Sequence, residues 1–307
     1  MKLSAKNKDR IFIFCMLFLP VVHFLVFWVY VNIGSIALAF KDANSGEFSF
    51  IQFELFFEKL VGDISSGKGA LAKSLGNTFI TAGISMLVNM PMTIFLAFVM
   101  FKKFYGHKLF LILLYLPGIF GAVIGNMMNK YVYDSIGPIV AVLKAIGVKL
   151  PRSVLFNGLI LNNDIGRTVY HVTSIGIAAG TILLILGALQ KVPVDLFHVG
   201  RIEGMGLFGE FWHVGLPCAW STVGIMWILI FASVWGDYSR PFLLTNGNYG
   251  TGNFGLYLFS NTLSAVQGTS GNYNYPAAIG VVLTCVIGPI TLLLKWASTK
   301  IVPDVEF

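Results

Sequence analysis

The sequence predicts an all-α membrane protein with six membrane-crossing helices, and three observations carry that prediction. Of 307 residues, 56% are hydrophobic and only 11% charged, whereas soluble domains carry about a quarter charged residues. Six uncharged runs approach or exceed the roughly 20 residues that a hydrocarbon core of about 30 Å requires. Finally, lysines and arginines fall between the runs, as expected where positive charge marks the cytoplasmic side.

The first run, Ile11 to Phe40, follows Lys2, Lys6, Lys8 and Arg10. Its apolar stretch is about twice a signal-peptide core, so it reads as a retained helix despite the small-residue triplet Ala37-Leu38-Ala39. His23 and Asn32 lie inside it as polar residues that a neighbouring helix can satisfy. An external segment follows, and in its first half, Ser49 to Leu60, the residues Phe53, Phe56, Phe57 and Leu60 share a helical stripe. Its second half, Val61 to Lys73, reads as a surface loop. There Gly62 to Gly69 approximates a phosphate-binding loop, but Gly69 stands where a magnesium-holding hydroxyl is needed and no strand precedes it.

The second run, Ser74 to Phe101, contains Asn89 and Pro91. The third, Leu109 to Asn129, contains Pro117, Gly118, Gly121 and Gly125, which favour kinks and close helix approaches. Between them lie Lys102, Lys103 and Lys108. After the third run, Ile139, Val142, Leu143, Ile146 and Leu150 form an apolar stripe with Lys144 and Lys149 outside it, predicting a short interfacial helix closed by Pro151. The fourth run is Thr168 to Gln190, the fifth Gly215 to Gly236 and the sixth Tyr275 to Leu294. With six crossings and this basic pattern, both termini and the polar segment 191–217 are expected in the cytoplasm. The segment 130–167 is basic too, but long segments set topology weakly.

At the end of the fifth run, Asp237 stands beside Trp235 and Tyr238. Two readings remain open there: belt anchors at the membrane surface, or a sugar contact in which rings stack on C–H faces and a carboxylate takes hydroxyls. Asn89 is a more distant candidate for the same pathway. The stretch that follows Gly250 and runs through Asn272, Tyr273, Asn274 and Tyr275, rich in Gly, Asn and Tyr without apolar period, reads as an external loop.

Several chemistries are missing from the sequence. There is no nucleotide loop beyond the near miss, no metal-ligand spacing and no glycine-framed nucleophile. Cys15, Cys218 and Cys285 all sit inside apolar runs as small hydrophobes. The net charge of +7 is dispersed between the runs rather than gathered on one face, which argues against nucleic acid. No carboxylate lies near the middle of a run, where ion-coupled carriers commonly keep one. Energy must then come from a partner.

The segment 191–217 supplies that partner's identity. Gly204, Val214, Leu216 and Pro217 occupy, at the right spacing and with Val214 in place of Ile, the last four fixed places of a loop they resemble, the cytoplasmic loop of permease subunits of binding-protein-dependent ABC importers, which reads Glu-Ala-Ala, three residues, Gly, nine residues, Ile, one residue, Leu-Pro. Arg201-Ile202-Glu203-Gly204 stands where carbohydrate importers have Arg-Ile-Asp-Gly. Leu186 to Pro193, Asn77-Thr78, Tyr115-Leu116-Pro117, Gly137-Pro138-Ile139 and Pro241 to Gly247 also resemble sugar permeases of the maltose type. The resemblance implies a type I importer permease fold, 1–307 as a single permease domain, and a loop that docks on an ATPase through Asp195, His198, Arg201, Glu203, Gly204, Leu216 and Pro217. The implied partners are a second permease, two ATPase subunits and an extracytoplasmic sugar-binding protein, within a bacterial cytoplasmic membrane. ATP and magnesium would be held by the ATPase, and this chain would catalyse nothing. His198-Val199-Gly200 replaces Glu-Ala-Ala and loses one expected charge-assisted contact. The rivals are an ion-coupled sugar carrier and a membrane-embedded enzyme using Asp237, Tyr238 and Arg240.

Overall fold

The computed structural model describes residues 5–301 except 44, 68 and 269–271, so Lys2 and Lys68 lie outside the described residues. It is all-helical, with a lone antiparallel bridge between Lys41 and Phe48 among the described residues. Chain contacts define two compact units, Met1–Val61 with Asn261–Cys285, and Gly62–Ser260 with Val286–Phe307.

In the first unit, helix α1 (residues 5–39) is predominantly apolar from Phe12 onward, and the stretch Phe12–Ala39 is long and apolar enough to cross a membrane. Its polar groups are met within the helix, Asn32 donating to the Trp28 carbonyl at 2.6 Å and Ser35 to that of Val31 at 3.0 Å. His23 is exposed beside the Phe27 ring. Helix α2 (Ile51–Ser66) buries Gln52 and Phe56, while Phe57 is exposed, so the buried stripe is narrower than the sequence pattern. The helix also continues through Gly62 to Ser66, where a loop was expected. The hydroxyls of Ser65 and Ser66 bond back to the carbonyls of Gly62 and Asp63, each three residues earlier, which keeps the last turn helical. The phosphate-loop resemblance therefore falls on a helix end.

In the second unit, α3 (Ala70–Phe101) is a single span bent into a π-turn over Ser85–Asn89. Pro91 lacks an N–H and crowds the preceding turn, and a π-turn is a common way to absorb that misfit. The third run divides into α4 (His107–Ile119) and α5 (Ala122–Val132), because Phe120 and Gly121 are extended after the weak helix formers Pro117 and Gly118. Next come α6 (Pro138–Ala145) and α7 (Arg152–Asn157). Val140 and Val154 form a small core with Leu159, whereas Val142 and Ile146 of the expected stripe are exposed.

The fourth run is also broken, into α8 (Gly166–Val172) and α9 (Ala179–Leu189). The hydroxyls of Thr173 and Ser174 bond to the Tyr170 carbonyl and compete with the helical ladder. The chain then turns by 81° into α10 (Val194–Ile202). Helix α11 (Leu207–Cys218) meets α12 (Trp220–Gly236) at 79°. Beyond α13 (Ser239–Thr245), the expected loop contains a helix, α14 (Phe254–Val266), whose start is capped by Asn253 accepting the Leu256 N–H at 2.8 Å. Helix α15 (Asn274–Ile301) runs past Leu294, where the apolar run ends.

Among the described residues, three helices are long and apolar enough to cross alone, and two bent pairs pass the same test only when each is counted as one. The main core joins α3, α9, α10, α11 and α12 through Met90, Phe98, Ile182, Ile185, Leu189, Phe197, Phe211 and Val223.

Candidate functional site: the 191–217 loop and the α3 polar contacts

The loop is organised by a nine-residue amphipathic helix, α10, entered through Pro193. Asp195 in its first turn and Arg201 in its last complement the helix dipole. Phe197 and Gly200 are buried, Phe197 lying 5.2 Å from the Phe101 ring. A Cβ at Gly200 would come within 3.3 Å of Met205 Sδ, a tight contact that the flexible Met205 side chain would have to relieve. Val194, Asp195, Leu196, His198, Val199, Arg201, Ile202 and Glu203 are exposed. The side chains of Asp195, His198 and Glu203 make no hydrogen bond or ion pair among the described residues, which leaves them available to a surface outside the chain.

The helix ends at Gly204, whose φ of +82° favours glycine. The Gly204 N–H donates to the Arg201 carbonyl and the Met205 N–H to that of Gly200, the paired bonds of a Schellman stop. Leu216 and Val214 pack on the main core, and Pro217 lines an adjoining apolar groove of about 710 Å³ with Pro91, Phe95, Trp212 and Trp227. A π-turn over Phe211–Gly215 precedes Pro217 as another precedes Pro91.

The sequence pattern did not single out Glu210, which is 4% exposed. Its Oε1 accepts Arg201 Nε at 2.8 Å and its Oε2 is bonded by Lys102 Nζ. Burial pushes this carboxyl up, but the hydrogen bonds and charges of Lys102 and Arg201 outweigh burial and hold it below the usual carboxylate range. Lys102 also lies 4.4 Å from the Phe197 ring centre. One available signal was that Glu210 is the sole acid between Gly204 and Pro217.

Toward the opposite end of α3 a second polar cluster forms around Asn77. Its amide donates to the carbonyls of Gly250 and Gly252, both at 2.7 Å, and its Oδ1 accepts Arg167 Nε at 2.8 Å. The adjacent Thr78 hydroxyl accepts the Phe254 N–H.

The sugar-contact candidates sit in separate settings. Trp235 is buried among the rings of Phe79, Phe231 and Phe254. The Asp237 carboxylate caps α13 by accepting the Ser239 N–H and hydroxyl. Tyr238 stacks on Phe259 at 4.2 Å. Arg240 donates to the Thr173 hydroxyl at 2.8 Å. Asn89 spans the break between α8 and α9, donating to the Ser174 carbonyl at 2.8 Å and accepting the Gly176 N–H at 3.1 Å. Among the described residues, no three His, Cys, Asp or Glu side chains gather as a metal site.

No family model matches the chain. It is similar to the multiple sugar-binding transport system permease protein MsmF of Streptococcus mutans, 23% identical over 76% of this chain and 77% of that protein. It is also similar to the arabinooligosaccharides transport system permease protein AraP of Bacillus subtilis, 25% identical over 89% of this chain and 84% of that one. Among solved structures, a chain of the bacterial alginate ABC transporter in complex with alginate pentasaccharide-bound periplasmic protein superposes with a TM-score of 0.77 at 20% identity, covering all of both chains. In sequence and in fold, then, the chain is similar to permease subunits of binding-protein-dependent sugar ABC importers, the resemblance first carried by Gly204, Val214, Leu216 and Pro217.

Proposed function

We propose that this chain is one membrane subunit of an ATP-driven importer of a sugar or oligosaccharide, forming the translocation pathway with a second permease. In this reading α10 seats in a groove of an ATPase subunit, which holds ATP and magnesium, and an extracytoplasmic binding protein delivers the sugar. The observation that carries it is α10 itself, a short helix turned 81° from α9, stopped at Gly204, and presenting Asp195, Leu196, His198, Val199 and Ile202 outward. Closure of the ATPase pair on ATP would move two such helices together and open the membrane bundle to the outside.

The break at residues 173–178 supports a pathway wall. Helix α9 has eleven residues, about 16 Å of helix, which reaches about the middle of a 30 Å hydrocarbon core from its Gln190 end. Asn89 lies twelve residues from Phe101, at a similar depth in α3. Ile175 and Ile177 are 46% and 38% exposed, and non-helical backbone at that depth is tolerated against protein or a water-filled cavity, not lipid. We assign the six crossings to α1, α3, α4 with α5, α8 with α9, α12 and α15, in one permease domain of a bacterial inner membrane with both termini cytoplasmic.

The rival readings have weaker support. Asp237, Tyr238 and Arg240 are each already engaged, by Ser239, Phe259 and Thr173 in turn. An ion-coupled carrier would lose uptake to an ionophore while ATP is plentiful. Uptake into proteoliposomes holding the chain with its ATPase and second permease, and supplied with the sugar-binding protein, should instead persist with ionophore and stop with a non-hydrolysable ATP analogue. The reverse pattern would refute the importer reading.

A further inference from the structure

Glu210 joins three helices at one point. It lies in α11, Arg201 lies in the last turn of α10, and Lys102 directly follows α3. Its two carboxylate oxygens are shared between them, Oε1 to Arg201 and Oε2 to Lys102. The cations differ in setting: the Lys102 side chain is 15% exposed and the Arg201 side chain 57%. Lys102 and Glu210 therefore form the buried half of the node, while Arg201 reaches in from the outward surface of α10.

The chain turns on either side of α10. At one end is the 81° turn before Pro193. At the other are Gly204, with left-handed backbone, and Gly206, and neither has a neighbour that an added Cβ would meet within 4 Å. Such turns leave the position of α10 to its side-chain contacts. The apolar contacts of Phe197 with Phe98 and Phe101 resist separation, but ring contacts do not fix register as directional charged hydrogen bonds do. Buried ion pairs are poor contributors to net stability, and holding one arrangement against its alternatives is their best-attested use.

We propose that Glu210 is the positioning residue that locks α10 to the end of α3, so that displacement of α10 moves α3 instead of being absorbed at Gly204. The proposal rests on the reading of 193–217 as the ATPase-seating loop for its consequence, but the locking itself belongs to this chain alone. Lys102, Arg201 and the aromatic rings of Phe98 and Phe197 are the groups that face the carboxylate's side of the joint.

Two measurements on the assembled complex test it. With native cysteines replaced, spin labels at Tyr105→Cys and Val194→Cys, exposed positions outside the set assigned to the ATPase groove, report the distance between the turn after α3 and the start of α10. The parent complex should give one narrow distance distribution, E210Q a distribution at least twice as broad, and E210D a return toward the parent. In proteoliposomes, sugar moved per ATP hydrolysed should fall about tenfold in E210Q and recover in E210D. A narrow, unshifted distribution in E210Q overturns the proposal, and so does an unchanged ratio of sugar to ATP. Broadening in E210Q, in a complex whose parent uptake ignores ATP, would support the lock and refute the importer reading. The two failures are thereby separable.

Discussion

The Glu210 and Asn77 nodes are both buried and polar, and both involve α3, yet they hold different things. Asn77 bonds to main-chain carbonyls and pins residues 246–253, where Asn246, Gly247, Tyr249 and Gly250 all have positive φ. Such a strained path persists only when its surroundings over-determine it. Glu210 bonds to side chains on two other segments, and its geometry is set by where those segments sit. A backbone latch fixes one loop conformation, whereas a side-chain node relates the positions of helices. The first suits a part of the molecule that must stay as it is, and the second a part that must move as a unit.

The comparison can be broken most forcefully at Glu210. Glu210→Ala leaves Lys102 as a largely buried cation without its acid, and should destabilise the subunit by about 3–5 kcal/mol in detergent unfolding. The pH dependence follows from the lowered carboxyl. Its folded value lies below the unfolded one, so its contribution is present above the unfolded carboxylate range and is lost as pH falls through the folded value. Glu210→Gln should flatten the acid limb of the unfolding profile, and an unaltered limb would contradict the assignment.

Asn77→Ala removes three hydrogen bonds and should cost about 1–3 kcal/mol, read as faster proteolysis within 246–253. Sugar moved per ATP by the surviving complex should stay near the parent value, and a tenfold loss would erase the proposed distinction between latch and node. Gly204→Val places a β-branched residue at φ +82°, a strain on the order of 1–2 kcal/mol. Uptake and sugar-stimulated ATP hydrolysis should collapse while the subunit remains in the membrane, and normal uptake would remove the coupling role of α10. His198→Glu should leave stability within about 0.5 kcal/mol, as exposed sites usually do, and the yield of co-purified ATPase should hold or rise. A drop would mean that the partner groove is adapted to histidine.

The parts of the fold that were readable in the sequence are those set by neighbours in the chain. The span Ala70–Phe101 and the helix at Asn274–Ile301 follow from apolar length, and α10 from its helix-forming residues between Pro193 and Gly204. The loop residues Asp195, His198 and Glu203 lie on an exposed face because Phe197 and Gly200 occupy the buried one. What escaped depends on distant partners or on side-chain competition. The break after Thr173 is stabilised by Asn89 from 85 residues away, and no local pattern announces that bond. Glu210 reads as an ordinary polar residue until Lys102, 108 positions earlier, is brought to it. The helix Phe254–Val266 was hidden in turn-forming residues because its cap, Asn253, belongs to the same vocabulary as a loop.

The central claim is that α10 is a docking element for an ATPase in a two-permease importer. The most direct measurement is purification of the tagged chain from its native membrane in mild detergent, with identification and stoichiometry of every co-purified chain by mass spectrometry. The account predicts a second, different permease and an ATPase in defined ratio, with the ATPase lost on Gly204→Val. Recovery of this chain only as a homo-oligomer, with no ATPase under conditions that keep it folded, would contradict it.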